Sequence, residues 1–156
     1  MKFRGDDSLL SMSVIRRPES SDEDAVLEEE QLYVFTVTDG GYAKKTKIEE
    51  YRLQGRGGLG IRAMQITENR GELVGGLVLV DTDDVISVTG GGQITRSLVS
   101  GVNATGRGTM GVKFVTFKGN DSVVTIARNT EIASDEDGST TSEETPTVTD
   151  VEVQDE

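Results

Sequence analysis

Gln54-Gly55-Arg56-Gly57-Gly58-Leu59-Gly60, at residues 54–60, is echoed 51 residues later by Thr105-Gly106-Arg107-Gly108-Thr109-Met110-Gly111. The same offset pairs Val34, Val37, Thr38, Gly40 and Gly41 with Val85, Val88, Thr89, Gly91 and Gly92. Periods of about 40 to 50 residues are typical of propellers and solenoids. The glycine-arginine loop therefore belongs to a repeating structural unit with a period of 51 residues.

Each period contains four segments that are predicted to form short strands. They are Leu32–Thr38, Tyr42–Thr46, Ile61–Thr67 and Leu73–Val80 in the first period, and Val85–Thr89, Gln93–Ser97, Val112–Phe117 and Ser122–Arg128 in the second. The strand segments are rich in β-branched and aromatic residues, and Asp39-Gly40-Gly41 is a hairpin turn signal. The sequence therefore predicts an all-β fold of propeller-like, four-stranded repeats.

Composition and repetition divide the chain into five segments. They are residues 1–15, the end of a preceding unit; 16–30, a charged linker; 31–82 and 83–132, two repeat units; and 133–156, an acidic tail that is expected to be disordered. The first assignment depends on the similarity of Arg4–Met12 to Lys118–Ile126. The tail consists mainly of Ser, Thr, Asp and Glu, which cannot bury enough apolar surface to offset the entropy cost of ordering.

Charge is unevenly distributed along the chain. The formal net charge is −12, from 28 acidic and 16 basic side chains. The tail and the linker together hold 16 of the acidic residues but only two of the basic ones, so the repeat body has 14 basic residues against 12 acidic ones. Such asymmetry indicates contact with nucleic acid by a protein that has an acidic tail.

Several classes of site are excluded by composition. The chain has no Cys and no His, so a disulfide framework, a Cys/His zinc site and a His general base are impossible. No carboxylate pair or activated nucleophile stands out. No segment resembles a signal peptide, and no apolar run approaches the roughly 18 to 20 residues that cross a bilayer. We therefore expect a cytoplasmic protein without a membrane partner.

Basic residues cluster around the repeated loops. Lys44, Lys45, Lys47, Arg52, Arg56 and Arg62 lie before, in or beside the first loop, and Arg96, Arg107 and Lys113 belong to the second period. Glycines let a backbone approach closely, and the arginine fork suits phosphate. Alternate side chains of a strand share a face, so Lys45 and Lys47 are expected to point the same way. For any single lysine, a solvated surface position is the alternative interpretation.

Both loops also satisfy G-x-G-x-x-G, the fingerprint of dinucleotide-binding proteins. That fingerprint requires a helix to begin at the last glycine. Here Ile61–Thr67 is soon interrupted by Glu68-Asn69-Arg70-Gly71, and Val112–Phe117 alternates like a strand. Asp81 lies about where a ribose-binding acid is expected, so a nucleotide-binding enzyme remains an alternative.

The first loop resembles the gyrase-A box, Q-[KR]-R-G-G-[KR]-G, of the C-terminal domain of the DNA gyrase A family. Gly40-Gly41-Tyr42-Ala43-Lys44-Lys45-Thr46 and Ile48-Glu49-Glu50-Tyr51 also resemble the repeat of that family. By position, the residues that match the box are Gln54, Arg56, Gly57, Gly58 and Gly60. Gly55 and Leu59 replace expected basic residues, so this box is similar to a degenerate second copy. The resemblance covers residues 1–16 and 31–132.

The resemblance implies a six-bladed β-pinwheel in which neighbouring blades exchange strands. This chain would supply the last two blades and the end of a preceding one. It would bind the backbone of double-stranded DNA without reading sequence and help to wrap it, so that a type II topoisomerase introduces negative supercoils. The matched box residues and the neighbouring lysines and arginines would make these contacts.

The resemblance also implies the assembly in which the chain works. The partners would be the remainder of gyrase A and the gyrase B subunit in an A2B2 assembly, in the cytoplasm and associated with the nucleoid. The catalytic tyrosine would lie elsewhere in gyrase A, so this segment would not be catalytic and would need no cofactor, with ATP and Mg²⁺ bound elsewhere. Two further alternatives remain: the C-terminal repeat of the A protein of topoisomerase IV, or a β-repeat module that binds proteins and not DNA.

Overall fold

The computed structural model describes residues 5, 7–15 and 30–129. The predicted tail at 133–156 lies outside the described residues, as does the predicted linker apart from Glu30. The strands are β1 (Tyr33–Thr38), β2 (Tyr42–Lys47), β3 (Leu73–Leu79), β4 (Asp84–Thr89), β5 (Ile94–Leu98), β6 (Val112–Lys113) and β7 (Val123–Asn129). Three short 3-10 turns, Ile48–Glu50, Glu68–Arg70 and Val99–Gly101, are the only helical elements in these ranges. The all-β prediction is confirmed.

The strands form two antiparallel sheets related by the repeat. The first sheet has the order β3-β1-β2-β6, and the second has the order β5-β4-β7. The two hairpin turns are alike, because the Gly41 N–H donates to Thr38 O at 2.9 Å and the Gly92 N–H donates to Thr89 O at 3.0 Å. Gly41 has φ of 76° and Gly92 has φ of 86°, a region that favours glycine. The repeated glycines thus set the same turn in both units. No helix within the described ranges is long and apolar enough to cross a membrane.

The second unit contributes a strand to the sheet of the first. β6 pairs with β2 through Tyr42 opposite Lys113 and Ala43 opposite Val112. A parallel bridge between Lys45 and Ala104 lies nearby. In the second sheet, the corresponding edge of β5 pairs with no other described strand. The arrangement agrees with the strand exchange that the resemblance implies.

Two predicted strands differ in the structure. Ile61–Thr67 contains no strand, and only Val112–Lys113 of the predicted Val112–Phe117 is a strand. The reason is the availability of an edge: β6 pairs with β2 of the unit before its own, whereas no described strand precedes the first unit for residues 61–67 to pair with. Residues 7–15, within the predicted end of a preceding unit, form no strand either.

The hydrophobic core lies between the two sheets. Its buried members are Phe35, Val37, Ala43, Leu79, Val85, Val99, Val102, Val115 and Val123. The Phe35 and Phe114 rings meet edge to face with their centroids 5.2 Å apart. The sheets approach closely at Gly75, where a Cβ would lie 2.6 Å from Ile126 Cγ1. A larger residue at this position would push the sheets apart.

Candidate nucleic-acid interface

The first glycine-arginine loop, residues 52–60, is a surface loop between β2 and β3. Residues 52–58 line a shallow concavity of roughly 390 Å³. Gly57 has φ of 76° and Gly60 has φ of 86°, so both require the freedom of glycine. The Gln54 Oε1 atom lies 3.2 Å from the position that a Cβ on Gly58 would occupy. The glutamine amide therefore folds over the glycine backbone, and a side chain at Gly58 would crowd it.

Three arginines in and beside this loop are available to a ligand. Arg52, Arg56 and Arg62 are all exposed. None of them forms an ion pair or hydrogen bond with another residue of the described ranges. Lys47, at the end of β2, is also exposed. An exposed guanidinium without a protein partner can bind an anionic oxygen without first breaking an internal contact.

Lys44 is different, and the expectation that it contributes to an exposed basic surface is corrected. Only 1% of the residue is exposed. Its Nζ donates hydrogen bonds to Gly106 O at 2.9 Å, to Arg107 O at 2.6 Å and to Ala63 O. Burial lowers the pKa of Lys44, and Glu50 opposes that effect. The ammonium faces inward because three backbone carbonyls replace water around it.

Lys45 is also buried, so its expected place on the outer surface is corrected as well. It is 4% exposed, and its Nζ contacts Asp81 Oδ1 and Val99 O. The ammonium also lies 4.8 Å from the centroid of the Tyr33 ring. Lys45 and Lys47 share a face of β2 by strand alternation, but only Lys47, at the strand end, reaches solvent.

Asp81, the expected ribose-binding acid of a dinucleotide site, pairs with Lys45 instead. Residues 61–67 form no helix after the first loop, and β6 follows the second loop. A dinucleotide-binding fingerprint requires a helix that begins at its last glycine, and neither loop is followed by one.

The second loop, Thr105–Gly111, is fastened to the first unit. The Thr105 N–H donates to Lys45 O at 2.9 Å, and Thr46 Oγ1 donates to Thr105 O at 2.8 Å. The Lys44 Nζ atom donates hydrogen bonds to the next two carbonyl oxygens of the loop, those of Gly106 and Arg107. The Arg107 guanidinium carbon lies 6.0 Å from the centroid of the Tyr51 ring. The second loop therefore has a fixed backbone, whereas the first projects from the surface.

Two other basic residues that are predicted to contact DNA already contact other residues of the protein. Arg96 forms an ion pair with Asp84. Lys113 Nζ donates to Gly40 O at 2.8 Å and lies 4.9 Å from the Tyr42 ring centroid. Both side chains reach solvent, but a phosphate would compete with these contacts.

The sequence repeat does not predict that Arg70 contacts the second loop. Its Nη1 donates to Gly111 O at 2.6 Å, and its guanidinium carbon lies 4.5 Å from the centroid of the Tyr42 ring. Arg70 thus fixes the end of the second loop from a turn of the first unit. The only signal in the sequence is a break in the repeat, since the residue 51 positions later is Asp121.

Two sheets that exchange a strand and carry repeated glycine-arginine loops define a propeller-type repeat domain. The chain belongs to the DNA gyrase C-terminal domain family, a β-propeller family whose model matches residues 32–79 and 83–129.

Curated proteins with similar sequences are DNA gyrase A proteins. The DNA gyrase A protein of Nocardioides sp. is 49% identical over 156 residues, covering 88% of this chain and 17% of that protein. The DNA gyrase A protein of Streptomyces coelicolor is 47% identical over 148 residues, covering 93% of this chain and 16% of that protein. The chain thus spans about one sixth of the length of these curated relatives.

Solved structures agree in fold. The DNA gyrase A C-terminal domain superposes with a TM-score of 0.59 at 21% identity, covering 65% of this chain and 34% of that one. The C-terminal domain of DNA topoisomerase IV gives a TM-score of 0.58 at 24% identity, covering 66% and 31%. The two scores are nearly equal, so the fold alone does not separate the two enzymes. The identities of 49% and 47% with the two DNA gyrase A proteins favour gyrase.

Proposed function

We propose that this chain binds the backbone of double-stranded DNA and helps to wrap it, as part of a DNA gyrase A protein. The observation that carries the proposal is the loop at 52–60, where Arg52 and Arg56 are exposed and have no described protein partner. Family membership supports the same conclusion. Wrapping by such a domain lets the intact topoisomerase introduce negative supercoils.

The proposed contacts are to phosphates and not to base edges. Arg56 and the amides of Gly57 and Gly58 would hold one phosphate, and Gln54 and Gly60 would shape the loop around it. Arg52, Arg62 and Lys47 would extend the basic track, with Arg107, Arg96 and Lys113 as weaker contributors. Lys44 and Lys45 would act indirectly, by holding the backbone that positions the loops. Contacts of this kind are tolerant of sequence and weaken with salt.

One loop cannot supply the whole energy of wrapping. Bending a site of about 20 to 30 base pairs by 40–90° costs on the order of 1–6 kcal/mol. An exposed charge contact contributes roughly 0 to 1 kcal/mol. Several loops must therefore act together, and the chain would work with the remainder of gyrase A and with gyrase B in an A2B2 assembly. ATP and Mg²⁺ would bind elsewhere in that assembly, which would act in the cytoplasm at the nucleoid.

The test is the DNA affinity of Arg56→Ala in the full chain, measured by fluorescence anisotropy with a labelled duplex of about 30 base pairs. The matched control is Lys118→Ala, because Lys118 is an exposed cation outside both loops. We expect Arg56→Ala to weaken binding about fivefold and to reduce the slope of log affinity against log salt by about 0.9, the value for one phosphate.

Equal affinities and salt slopes for the two variants would contradict a special role for the first loop. A wild-type chain that does not bind duplex DNA would favour the alternative of a protein-interaction module.

A further inference from the structure

A carboxylate of the chain itself faces the backbone of the second glycine loop. The Arg107 N–H donates to Glu50 Oε2 at 3.4 Å. The same oxygen lies 3.7 Å from the position that a Cβ on Gly106 would occupy. Glu50 is exposed and belongs to the 3-10 turn Ile48–Glu50, which directly follows β2.

The second loop is oriented to receive an anion at this point. The Lys44 Nζ atom donates hydrogen bonds to the carbonyl oxygens of Gly106 and Arg107, so these oxygens face the interior of the unit. The Arg107 N–H instead meets Glu50 in an exposed position, and the Arg107 guanidinium stays near Tyr51. Backbone N–H groups of a glycine loop together with an arginine suit phosphate as well as carboxylate.

The first loop differs from the second in this respect. Within the described ranges, no acidic side chain forms a hydrogen bond or ion pair with residues 54–60. As far as the described residues show, one glycine-arginine loop is therefore open to an external anion, and the other is occupied from within.

We propose that Glu50 is an internal occupant of an anion site on the second loop and that it excludes DNA phosphate from Gly106-Arg107-Gly108. When Glu50 is neutralised, the Arg107 N–H and guanidinium become a second phosphate contact. The DNA part of this inference rests on the proposed function, whereas the anion site does not. Glu50 thereby leaves the first loop as the stronger phosphate contact and limits what Arg107 contributes.

The neighbouring residue provides a matched control. Glu49 lies in the same 3-10 turn and is also exposed, but its carboxylate accepts hydrogen bonds from Gln31 Nε2 at 2.9 and 3.0 Å. Glu50→Gln and Glu49→Gln change the net charge equally, so they separate a local contact from long-range electrostatics.

We expect Glu50→Gln to bind a labelled duplex about fivefold more tightly than the wild-type chain, the upper range for one exposed charge contact. Its log–log salt slope should steepen by about 0.9, and Glu49→Gln should show a smaller gain with no change of slope. Adding Arg107→Ala to Glu50→Gln should remove the gain. Equal gains for the two glutamate variants, or a gain that survives Arg107→Ala, would overturn the proposal.

A second measurement needs no DNA. Inorganic phosphate is titrated into the ¹⁵N-labelled chain, and the Arg107 amide resonance is followed by NMR. We expect a saturable shift in Glu50→Gln and none in the wild-type chain or in Glu49→Gln. If that shift appears while the wild-type chain fails to bind DNA, the anion site stands and the proposed function fails. If the wild-type chain binds DNA but Glu50→Gln shows no phosphate-dependent shift, the proposed function stands and this inference fails.

Discussion

The Nζ atom of Lys44 donates a 2.6 Å hydrogen bond to the carbonyl oxygen of Arg107, 63 residues further along the chain. The same ammonium contacts Ala63 O, three residues beyond the end of the first loop. One buried cation in β2 thus joins the second loop to the segment that follows the first. Its role is to fix backbone positions, and its charge is not presented to the surface.

Lys44→Met should therefore destabilise the fold. The variant keeps a long apolar stem but leaves three carbonyls without their donor, and each buried unpaired group costs roughly 1–3 kcal/mol. Relief from burying the ammonium offsets part of this, so we expect a loss of about 2–4 kcal/mol. Urea denaturation measures it, with exposed Lys47→Met as a control that should change stability by less than about 0.5 kcal/mol. Equal stabilities for the two variants would show that the Lys44 contacts contribute nothing.

Gly75→Ala should separate the two sheets. Its Cβ would lie 2.6 Å from Ile126 Cγ1, and overpacking of this kind costs roughly 1–3 kcal/mol. Gly76→Ala is the matched control, because a Cβ there would meet Ser11 Oγ at an ordinary 3.5 Å. Ile126→Ala should partly rescue Gly75→Ala in a double-mutant cycle of unfolding free energies. Strict additivity of the two changes would argue against a direct clash.

Tyr33 should make the stability depend on alkaline pH. Burial raises the pKa of the Tyr33 phenol above its ordinary 10.0, and Asp81 raises it further. A pKa that is higher in the folded state stabilises the fold below pH 10.0, and this contribution is lost as the pH rises through the folded-state pKa. We expect the free energy of unfolding to fall above pH 10.0, and to fall less in Tyr33→Phe. Denaturation curves on both sides of that pH would reveal the difference, and identical pH dependence in the two chains would contradict it.

The open edge of β5 should promote self-association of the chain. Ile94 is 70% exposed and Leu98 is 59% exposed on this strand, whose outer edge pairs with no described strand. Unpaired edges with apolar side chains recruit other chains, and lysine at an edge opposes this. Sedimentation velocity should show concentration-dependent association that Ile94→Lys reduces. A monomer at all concentrations, with a sharp unfolding transition at high temperature, would disprove the prediction.

The sequence predicted six of the seven strands to within two residues, because β-branched runs and glycine turns are local signals. It assigned a strand to Ile61–Thr67 and too long a strand to Val112–Phe117, since a strand also needs a free edge to pair with. That edge is a property of the assembled sheets, and no local pattern contains it.

The candidate site, like the fold, is only partly predictable from local sequence patterns. The spacing of the repeat alone identifies the glycine loop and its arginines, and the structure leaves Arg52, Arg56 and Arg62 exposed. The expected surface positions of Lys44 and Lys45 are wrong, because alternation tells which face of a strand a side chain takes but not what covers that face. The covering residues, such as Gly106 and Val99, come from the next unit. Contact of the exposed arginines with DNA stays a prediction.

The exchanged strand has a consequence for how the protein is made. β6 begins 65 residues after β2 ends, so the first sheet stays unfinished while the ribosome adds that stretch. At about 5–20 residues per second this lasts roughly 3–13 s. During that time β2 is a bare edge, and Lys44, Lys45 and Lys47 give it a row of charges that opposes pairing with other nascent chains. Lys44 and Lys45, which hold the two units of the finished domain together, would thus also protect β2 before β6 exists.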